Sequence, residues 1–284
     1  MTVLVTGDKG MIGSRLVEGL LDEGYEVIGI DRTGEEKKEG KYTHYQINLE
    51  NGEKLKKIVK TEQVDRIIHL AALAHTKGEK DLSWERYKHV NVDCARNVFN
   101  AVEDRPLLFI STVDVYGFYD GKKPINGNSP IKPVSLYGRS KALAEEECKR
   151  LMQYDIYRFS PVYTDTVKRD IQKRYYLKYP KIAYLIGKGT EFEILSINKA
   201  VQSMVKWCQQ QPQNDITIIK DDKNMWTPEY IKTEKEMGRA SIVIRFPHWA
   251  IKGCYDILKA IFGETEKIYL LNKAIYPIRS TING

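Results

Sequence analysis

The first 160 residues alternate short apolar runs with longer stretches in which apolar residues recur at helical spacing. The runs predict buried strands at residues 3–6, 26–30, 42–47, 66–70, 107–111 and 156–159. The longer stretches predict amphipathic helices at residues 11–23, 53–60, 84–102 and 135–152. This alternation predicts an α/β fold with a Rossmann-type, doubly wound parallel sheet that helices cover on both faces.

Beyond residue 161 the alternation loosens. Helices are predicted at residues 166–178, 198–210, 228–237 and 248–262, and short strands at residues 192–195, 216–219 and 242–245. We therefore expect a doubly wound domain over residues 1–160 and a smaller α+β lobe over residues 161–284.

Composition places the chain among ordinary globular proteins. Of its 284 residues, 42% are hydrophobic and 29% charged, and no apolar run approaches the ~20 residues that cross a bilayer. The chain opens directly on a strand, without a signal-peptide pattern. The cysteines are widely spaced and form no CxxC pair, which predicts neither a metal site nor a disulfide framework. We expect a cytoplasmic protein with reduced thiols and no membrane partner; its cysteines are Cys94, Cys148, Cys208 and Cys254.

The net charge of +7 fits an anionic ligand, although solubility alone would also account for it. One segment combines cations with aromatic rings. It has three interpretations: a solvated helix face, a contact for a diphosphate, or a site for single-stranded nucleic acid. No recognised nucleic-acid module surrounds it, so no nucleic-acid partner is expected. The segment contains Lys168, Arg169, Lys173, Arg174, Tyr175, Tyr176, Lys178 and Tyr179.

Residues 2–13 (TVLVTGDKGMIG) read as a strand, a glycine-punctuated turn and a helix. Glycines at 7, 10 and 13 allow a sharp turn, a close approach of backbone N–H groups to a pyrophosphate, and tight packing of helix on strand. The next strand ends at Asp31, a spacing that suits a carboxylate bonding ribose hydroxyls and favours NAD. Arg32 is of the type that accepts a 2′-phosphate, so NADP stays open. The alternative for Asp31 is a loop cap.

Residues 137–141 (YGRSK) place Tyr137 and Lys141 one helical turn apart, on the same face. A lysine ammonium favours the phenolate of a nearby tyrosine, which can then accept a proton from a hydroxyl group. Such a pair also occurs by chance as a half-buried aromatic and a solvated lysine. The upstream glycine turn favours the catalytic interpretation.

Further segments carry the motifs of one protein family: residues 69–72 (HLAA), 91–92 (NV), 111–117 (STVDVYG) and 158–163 (RFSPVY). With the glycine turn and YGRSK, they make the chain resemble an extended short-chain dehydrogenase/reductase of the NAD-dependent epimerase/dehydratase family. The resemblance is continuous from residue 3 to about 163 and weaker to about 251. It implies that residues 1–160 are an NAD(P)-binding Rossmann domain with a Thr/Tyr/Lys catalytic set, and that residues 161–284 bind substrate.

The resemblance also implies individual roles. Thr112 would bond the reacting oxygen beside Tyr137, and Lys141 would bond the nicotinamide ribose and tune Tyr137. Ser111 and Thr112 as ordinary strand-end hydroxyls are the alternative. The resemblance implies that the pyrophosphate is held by Gly7, Gly10, Met11, Ile12 and Gly13 and that the adenosine ribose is bound by Asp31 and Arg32. The adenine would lie between Asn48, which is usually Asp in the family, and Leu49. The cofactor cleft would be lined by Leu70, Ala71, Ala72, Asn91 and Ser111.

Three departures from the family bear on the reaction and the substrate. Dehydratase members of the family have a Thr-Asp-Glu motif where this chain has Thr112, Val113 and Asp114. The missing first acid counts against a dehydratase. Pro161 stands where many nucleotide-sugar members have an Asn that contacts substrate. Asn198 follows Ile197 where the family has V-x-D. The identity of the substrate therefore does not carry over from any one member.

The expected function is an NAD-dependent, nucleotide-sugar epimerase-like enzyme that oxidises a sugar C4 hydroxyl to a transient 4-keto group and reduces it again. The alternatives are an NAD(P)H-dependent reductase of a keto sugar and a dinucleotide-binding regulator without turnover. The basic second-lobe segment would hold the substrate diphosphate. The family also implies a homodimer through the helices at residues 84–102 and 135–152, although apolar stripes that face the sheet would look the same.

Overall fold

A computed structural model of the protein describes residues 1–74, 83–165 and 169–281. Its centre is an eight-stranded sheet of order β13-β7-β6-β5-β1-β2-β4-β3, parallel except for the edge strand β3. The strands are β1 (Thr2–Thr6), β2 (Glu26–Asp31), β3 (Lys37–Glu39), β4 (Tyr42–Gln46), β5 (Arg66–His69), β6 (Leu107–Thr112), β7 (Tyr154–Phe159) and β13 (Ile216–Ile219).

Helices cover both faces of this sheet, as the doubly wound prediction requires. One core lies under α2 (Gly52–Thr61), α4 (Cys94–Val102) and α5 (Leu136–Cys148). The other lies under α1 (Met11–Asp22) and α7 (Ile197–Cys208). The predicted helix at residues 84–102 is continuous but not uniform. It runs through α3 (Trp84–Lys88) and a π-helical turn (His89–Asp93) before α4.

The second lobe contains three small sheets, of orders β15-β10-β9, β11-β14 and β12-β8. Its remaining elements are two helices and a C-terminal helical hairpin, α9 and α10. The bounds are β8 (Val162–Tyr163), α6 (Arg169–Gln172), β9 (Tyr176–Lys178), β10 (Ile182–Ile186), β11 (Glu191–Phe192), β12 (Leu195–Ser196), β14 (Met225–Trp226), α8 (Thr227–Glu236), β15 (Ile242–Phe246), α9 (His248–Phe262) and α10 (Glu266–Ile275).

The structure departs from the expected division at residue 160. Strand β13 pairs in parallel with β7, and α7 packs against α1, so residues 197–219 return to the first domain. A nonlocal pairing of this kind leaves no mark in the local pattern. The C-terminal lobe is therefore built from two separate stretches of chain.

Of the helix predicted at residues 166–178, residues 166–168 lie outside the described part of the chain and α6 forms the next four. The second half is wrong, because β9 pairs antiparallel with β10 there. Tyr175 and Tyr176 are buried there, and the Tyr176 hydroxyl donates to Glu234 over 2.9 Å. Burial of adjacent aromatics in a small sheet outweighs the helical spacing of the surrounding cations. The strand predicted at residues 192–195 is divided between β11 and β12, which belong to different sheets.

The apolar stripes of α4 and α5 face the sheet. Val98, Phe99 and Ala144 belong to the buried core, and the outer side carries ion pairs that Arg96 makes with Asp93 and Glu147. Among the described residues, no helix is both long and apolar enough to cross a membrane.

Candidate functional site

The glycine turn joins β1 to α1 at the carboxyl edge of the sheet. Gly7 has φ +76°, and a Cβ there would lie 2.9 Å from the backbone of Ala71. A Cβ at Gly13 would lie 2.0 Å from the Gly7 carbonyl oxygen. Gly10 precedes α1 and has no side chain to cap it, so the first N–H groups of the helix stay available to an anion. The turn therefore fits a dinucleotide pyrophosphate.

Asp31 ends β2 beside this turn, where the sequence predicts it. One of its oxygens, Oδ1, accepts hydrogen bonds from the backbone N–H and the hydroxyl of Thr33, at 2.9 and 2.8 Å. The other, Oδ2, has no hydrogen-bond partner among the described residues. Asp31 thus caps its loop through Oδ1, and Oδ2 takes no part in that cap.

Two residues inside the glycine turn were not singled out from the sequence. Asp8 is buried; its Oδ2 accepts a hydrogen bond from Tyr42 at 2.5 Å and lies 2.8 Å from His44 Nδ1, while its Oδ1 has no partner among the described residues. Burial and the Asp8 carboxylate raise the pKa of Tyr42. Lys9 donates to Tyr42 over 3.0 Å, and its Cε would lie 2.7 Å from a Cβ at Gly34. A cation therefore reaches the loop that follows Asp31.

The helix that carries Tyr137 starts against the end of β6. Ser135 caps it by accepting the Gly138 N–H at 2.9 Å, and a Cβ at Gly138 would lie 2.7 Å from the Asp114 carbonyl oxygen. Glycine is therefore needed where the first turn of α5 meets the turn after Thr112. Thr112 and Tyr137 are both half-buried at this junction. The Thr112 hydroxyl oxygen accepts the Asp114 N–H at 3.2 Å, which leaves its hydrogen for another acceptor.

Lys141 is almost fully buried, with Nζ 4.0 Å from the centre of the Phe109 ring. Burial lowers the pKa of Lys141 to about 7, against the opposing effect of Glu145. His69 stacks on Phe109 with the ring centres 5.7 Å apart, and its Nδ1 lies 2.6 Å from the Thr6 hydroxyl. Burial, with Lys141 adding to it, lowers the pKa of His69 to about 3, so this imidazole is neutral.

Asn91 is expected to line the cofactor cleft. Its side chain joins the segment after β5 to α5. Its amide exchanges two hydrogen bonds with the backbone of Leu73, at 2.7 and 2.9 Å, and donates to Ser140 over 2.9 Å. Ser140 belongs to the Tyr–Lys helix. The π-helical turn thus fixes the segment after β5, with Leu70, Ala71 and Ala72, relative to α5.

Ser111 was also expected beside the cofactor. Its hydroxyl donates to Glu145 over 2.5 Å, inside a buried network in which Glu145 holds Arg158 at 2.6 Å. Arg158 in turn donates to Tyr116 over 2.7 Å. Through Glu145, Ser111 helps to position α5 on β6 and β7, and its contact with the cofactor stays a prediction.

Asp114, where dehydratases have their second acid, is held by three side chains. Ser135 and Tyr269 donate hydrogen bonds to it, and Lys273 forms an ion pair with it. Burial alone would raise the pKa of Asp114, but Lys273 and the two hydrogen bonds outweigh burial and lower it. The carboxylate therefore ties the start of the Tyr–Lys helix to α10.

The substrate side is less well marked. A cavity of about 440 Å³ opens between the ends of β8 and β12, and Tyr163, Lys199, Asp221, Lys223 and Tyr230 line part of it. A larger one of about 550 Å³ lies near Asp65 and Arg105, at the amino edge of the sheet, away from the predicted site. Of the predicted diphosphate contacts, Lys168 and the Arg169 side chain lie outside the described residues. Arg174 lies over the Phe192 ring at 5.0 Å.

The remaining predicted cofactor contacts lie at the carboxyl edge of the sheet, with the glycine turn. Met11 and Ile12 form the first turn of α1, and Arg32 follows Asp31. Asn48 is exposed after β4, where its side chain accepts the Glu50 N–H at 3.2 Å, and Leu49 is half-buried beside it.

Comparison with known proteins gives one family. The model of the NAD dependent epimerase/dehydratase family matches residues 3–171. A UDP-glucose 4-epimerase of Lactobacillus helveticus is 33% identical over 154 residues, 51% of this chain and 46% of that protein. A UDP-glucuronate 4-epimerase of Thermodesulfobacterium geofontis is 28% identical over 214 residues, 66% of this chain and 65% of that protein. The chain thus spans about half to two thirds of these curated relatives.

Solved structures agree on the fold. A UDP-glucuronic acid 4-epimerase from Bacillus cereus, in complex with UDP-glucuronic acid and NAD, superposes with a TM-score of 0.67. The match covers 87% of this chain and 86% of that one, at 21% identity. The α/β, Rossmann-type prediction is confirmed.

Proposed function

The chain belongs to the NAD-dependent epimerase/dehydratase family, and from this we propose that it is an NAD-dependent 4-epimerase of a nucleotide-diphosphate sugar. Two curated relatives are 4-epimerases of UDP-sugars, and one similar solved structure holds NAD and a UDP-sugar. Because the chain spans only part of those relatives, its activity and substrate are proposals.

The proposal is carried by one observation, the position of the Tyr–Lys helix. This helix starts against the turn after Thr112, and Thr112 ends β6, which lies two strands away from β1 and its glycine turn. A sugar hydroxyl between Tyr137 and Thr112 would lie at the carboxyl edge, where doubly wound folds bind ligands. Asp114 is engaged with Lys273 and Val113 replaces the first acid, which disfavours elimination of water.

In this proposal the chain moves the proton. Tyr137 takes the proton of the C4 hydroxyl, and Thr112 donates its hydroxyl hydrogen to the same oxygen. NAD, held by the glycine turn and Asp31, would supply the hydride acceptor for oxidation at C4 and the hydride donor for the reduction that follows. Tyr137 then returns the proton, so atoms and charge balance over the cycle. Lys141 binds the ribose next to the tyrosine and favours its phenolate form.

We propose NAD as the cofactor because Asp31 ends β2 beside the glycine turn, and a carboxylate there would bond the ribose hydroxyls and repel a 2′-phosphate. Lys9 and Arg32 are cations beside it, so NADP is the competing outcome. Cations of the second lobe, among them Lys173 and Arg174, would hold the diphosphate. All four cysteines are free thiols, which suits the cytoplasm. A homodimer is proposed from the family only.

A test is to denature the purified protein and identify any released dinucleotide by mass spectrometry. An epimerase regenerates its cofactor within each turnover, so about one NAD per chain is expected to survive purification. Exchange of NADPH or NADH with no retained cofactor would favour the reductase. Failure to bind any dinucleotide, with Gly7→Ala and the wild type alike, would contradict the cofactor site itself.

A further inference from the structure

Exposed apolar side chains are concentrated near the end of the chain. Half of the large apolar residues that are exposed among the described ones lie between residues 242 and 270. Trp249 is the most exposed of all, at 78%. Apolar patches of this kind mark surfaces that bind something.

Helix α9 (His248–Phe262) is apolar on two sides. Its inner side packs on α10 through Ile251, Tyr255 and Leu258, and the Tyr255 hydroxyl accepts a hydrogen bond from Asn272 at 3.1 Å. A helix that is apolar nearly all round is normally buried. We call its solvent-facing side the outer stripe; at helical spacing it consists of Trp249, Gly253, Ile257, Ala260 and Ile261.

Cations surround the Trp249 end of the outer stripe. Arg245 precedes α9 and is exposed, and Lys188 is exposed in a loop whose Gly187 N–H donates to the Phe246 carbonyl at 2.8 Å. Within the described part of the chain, neither Arg245 nor Lys188 has a carboxylate partner. Lys252 borders the stripe and pairs with Asp256 at 2.5 Å. The local field at this end therefore suits an anionic surface.

We propose that the outer stripe docks α9 flat on a lipid bilayer that carries anionic headgroups. Trp249, Ile257 and Ile261 would enter the boundary between headgroups and acyl chains, while Arg245 and Lys188 meet the phosphates. A second copy of the chain fits less well, because a stable protein interface draws on about 20–30 residues from each partner and the stripe is a single helix side.

The experiment is co-sedimentation of the full chain with vesicles of phosphatidylcholine, with or without phosphatidylglycerol. Binding is expected only with phosphatidylglycerol. The triple variant Trp249→Ser, Ile257→Ser, Ile261→Ser should bind on the order of a hundredfold more weakly, since it removes the inserted surface. The pair Arg245→Gln, Lys188→Gln should weaken binding and reduce its salt dependence. The control is Met152→Ser, an exposed residue (74%) outside the patch.

Because all the changed side chains are exposed, circular dichroism should show each variant folded like the wild type. The proposal would be overturned if the triple variant bound as the wild type does, if neutral vesicles bound equally well, or if no vesicle bound. Light scattering that showed a dimer dispersed by the triple variant would assign the stripe to a second copy instead. None of these outcomes depends on turnover of a sugar.

Discussion

At the scale of single residues, the fold buries the titratable amine of Lys141. The amine lies over the Phe109 ring and is almost fully buried, so the protein keeps a titratable group out of water. Burial disfavours the charged form, and the pKa near 7 means that both forms are populated around neutrality. The amine that we propose for binding the nicotinamide ribose therefore lowers the free energy of unfolding of the protein at neutral pH.

Replacing this lysine should expose that cost. An unfolded lysine has a pKa of about 10.4. Between pH 7 and 10 the unfolded chain therefore binds a proton that the folded chain lacks, and the stability of the wild type rises with pH. Lys141→Met lacks this dependence. The free energy of unfolding of the variant minus that of the wild type should therefore be larger at pH 6 than at pH 10, by on the order of a few kcal/mol.

Urea unfolding of cofactor-free protein from pH 6 to 10 measures this difference. Lys149→Met, at the solvent side of the end of α5, is the control for a general charge effect. A stability difference between wild type and Lys141→Met that stayed constant with pH would contradict the buried-amine account.

At the scale of elements, the placement of α5 decides the geometry of the site. Its first turn approaches the Asp114 backbone so closely that only Gly138 fits, Ser140 binds Asn91 of the π-helical turn, and Glu145 binds Arg158 of β7. The helix is thereby fixed to three neighbouring elements along its length. This packing fixes the backbone that carries Tyr137.

Gly138→Ala should displace the start of α5. The added Cβ would lie 2.7 Å from a backbone oxygen, so the helix must shift. Because small displacements of reacting groups can cost ~100-fold in rate, we expect a fall in kcat of about 10- to 100-fold with dinucleotide affinity little changed. Arg139→Ala, one residue further on an exposed position, should leave both values unchanged. Equal kcat in the two variants would show that the close approach does not matter.

Lys273→Met should destabilise the junction of α10 with the start of α5. It leaves Asp114 with two hydrogen bonds and no counter-charge, at a cost of about 1–3 kcal/mol in a partly buried setting. Adding Asp114→Asn should restore part of that loss. Denaturant unfolding of the two single variants and the double variant measures the coupling, and additive losses would mean that the pair does not interact.

At the scale of the whole molecule, the sequence predicted what local pattern encodes. The strands and helices of the first 160 residues, the glycine turn and the Tyr–Lys helix lie where their periodicity and motifs place them. Three features could not be found that way. Strand β13 was predicted as a strand, but its partner β7 is about 60 residues away. Helix α10, which reaches Asp114, was not predicted, and the outer stripe of α9 has the same spacing as a buried face.

The site follows the same rule. Gly7, Asp31, Thr112 and Tyr137 each follow a strand or start a helix in the sequence, so their places at the carboxyl edge of the sheet could be predicted, while their roles stay predictions. Asn91 and Ser111 turn their side chains into the scaffold. That choice depends on distant partners, Leu73 and Glu145, and a motif records residue types and not their partners.

The central claim, inversion at C4 by proton transfer through Tyr137, is tested most directly with nucleotide sugars that carry deuterium at C4. Purified protein is incubated with UDP-glucose, UDP-glucuronic acid and their N-acetylated counterparts, and the products are read by NMR. We expect the C4-inverted sugar with its deuterium retained and no net NADH, and a loss of at least ~100-fold in Tyr137→Phe. Inversion at the wild-type rate in Tyr137→Phe, or net reduction without inversion, would contradict the account.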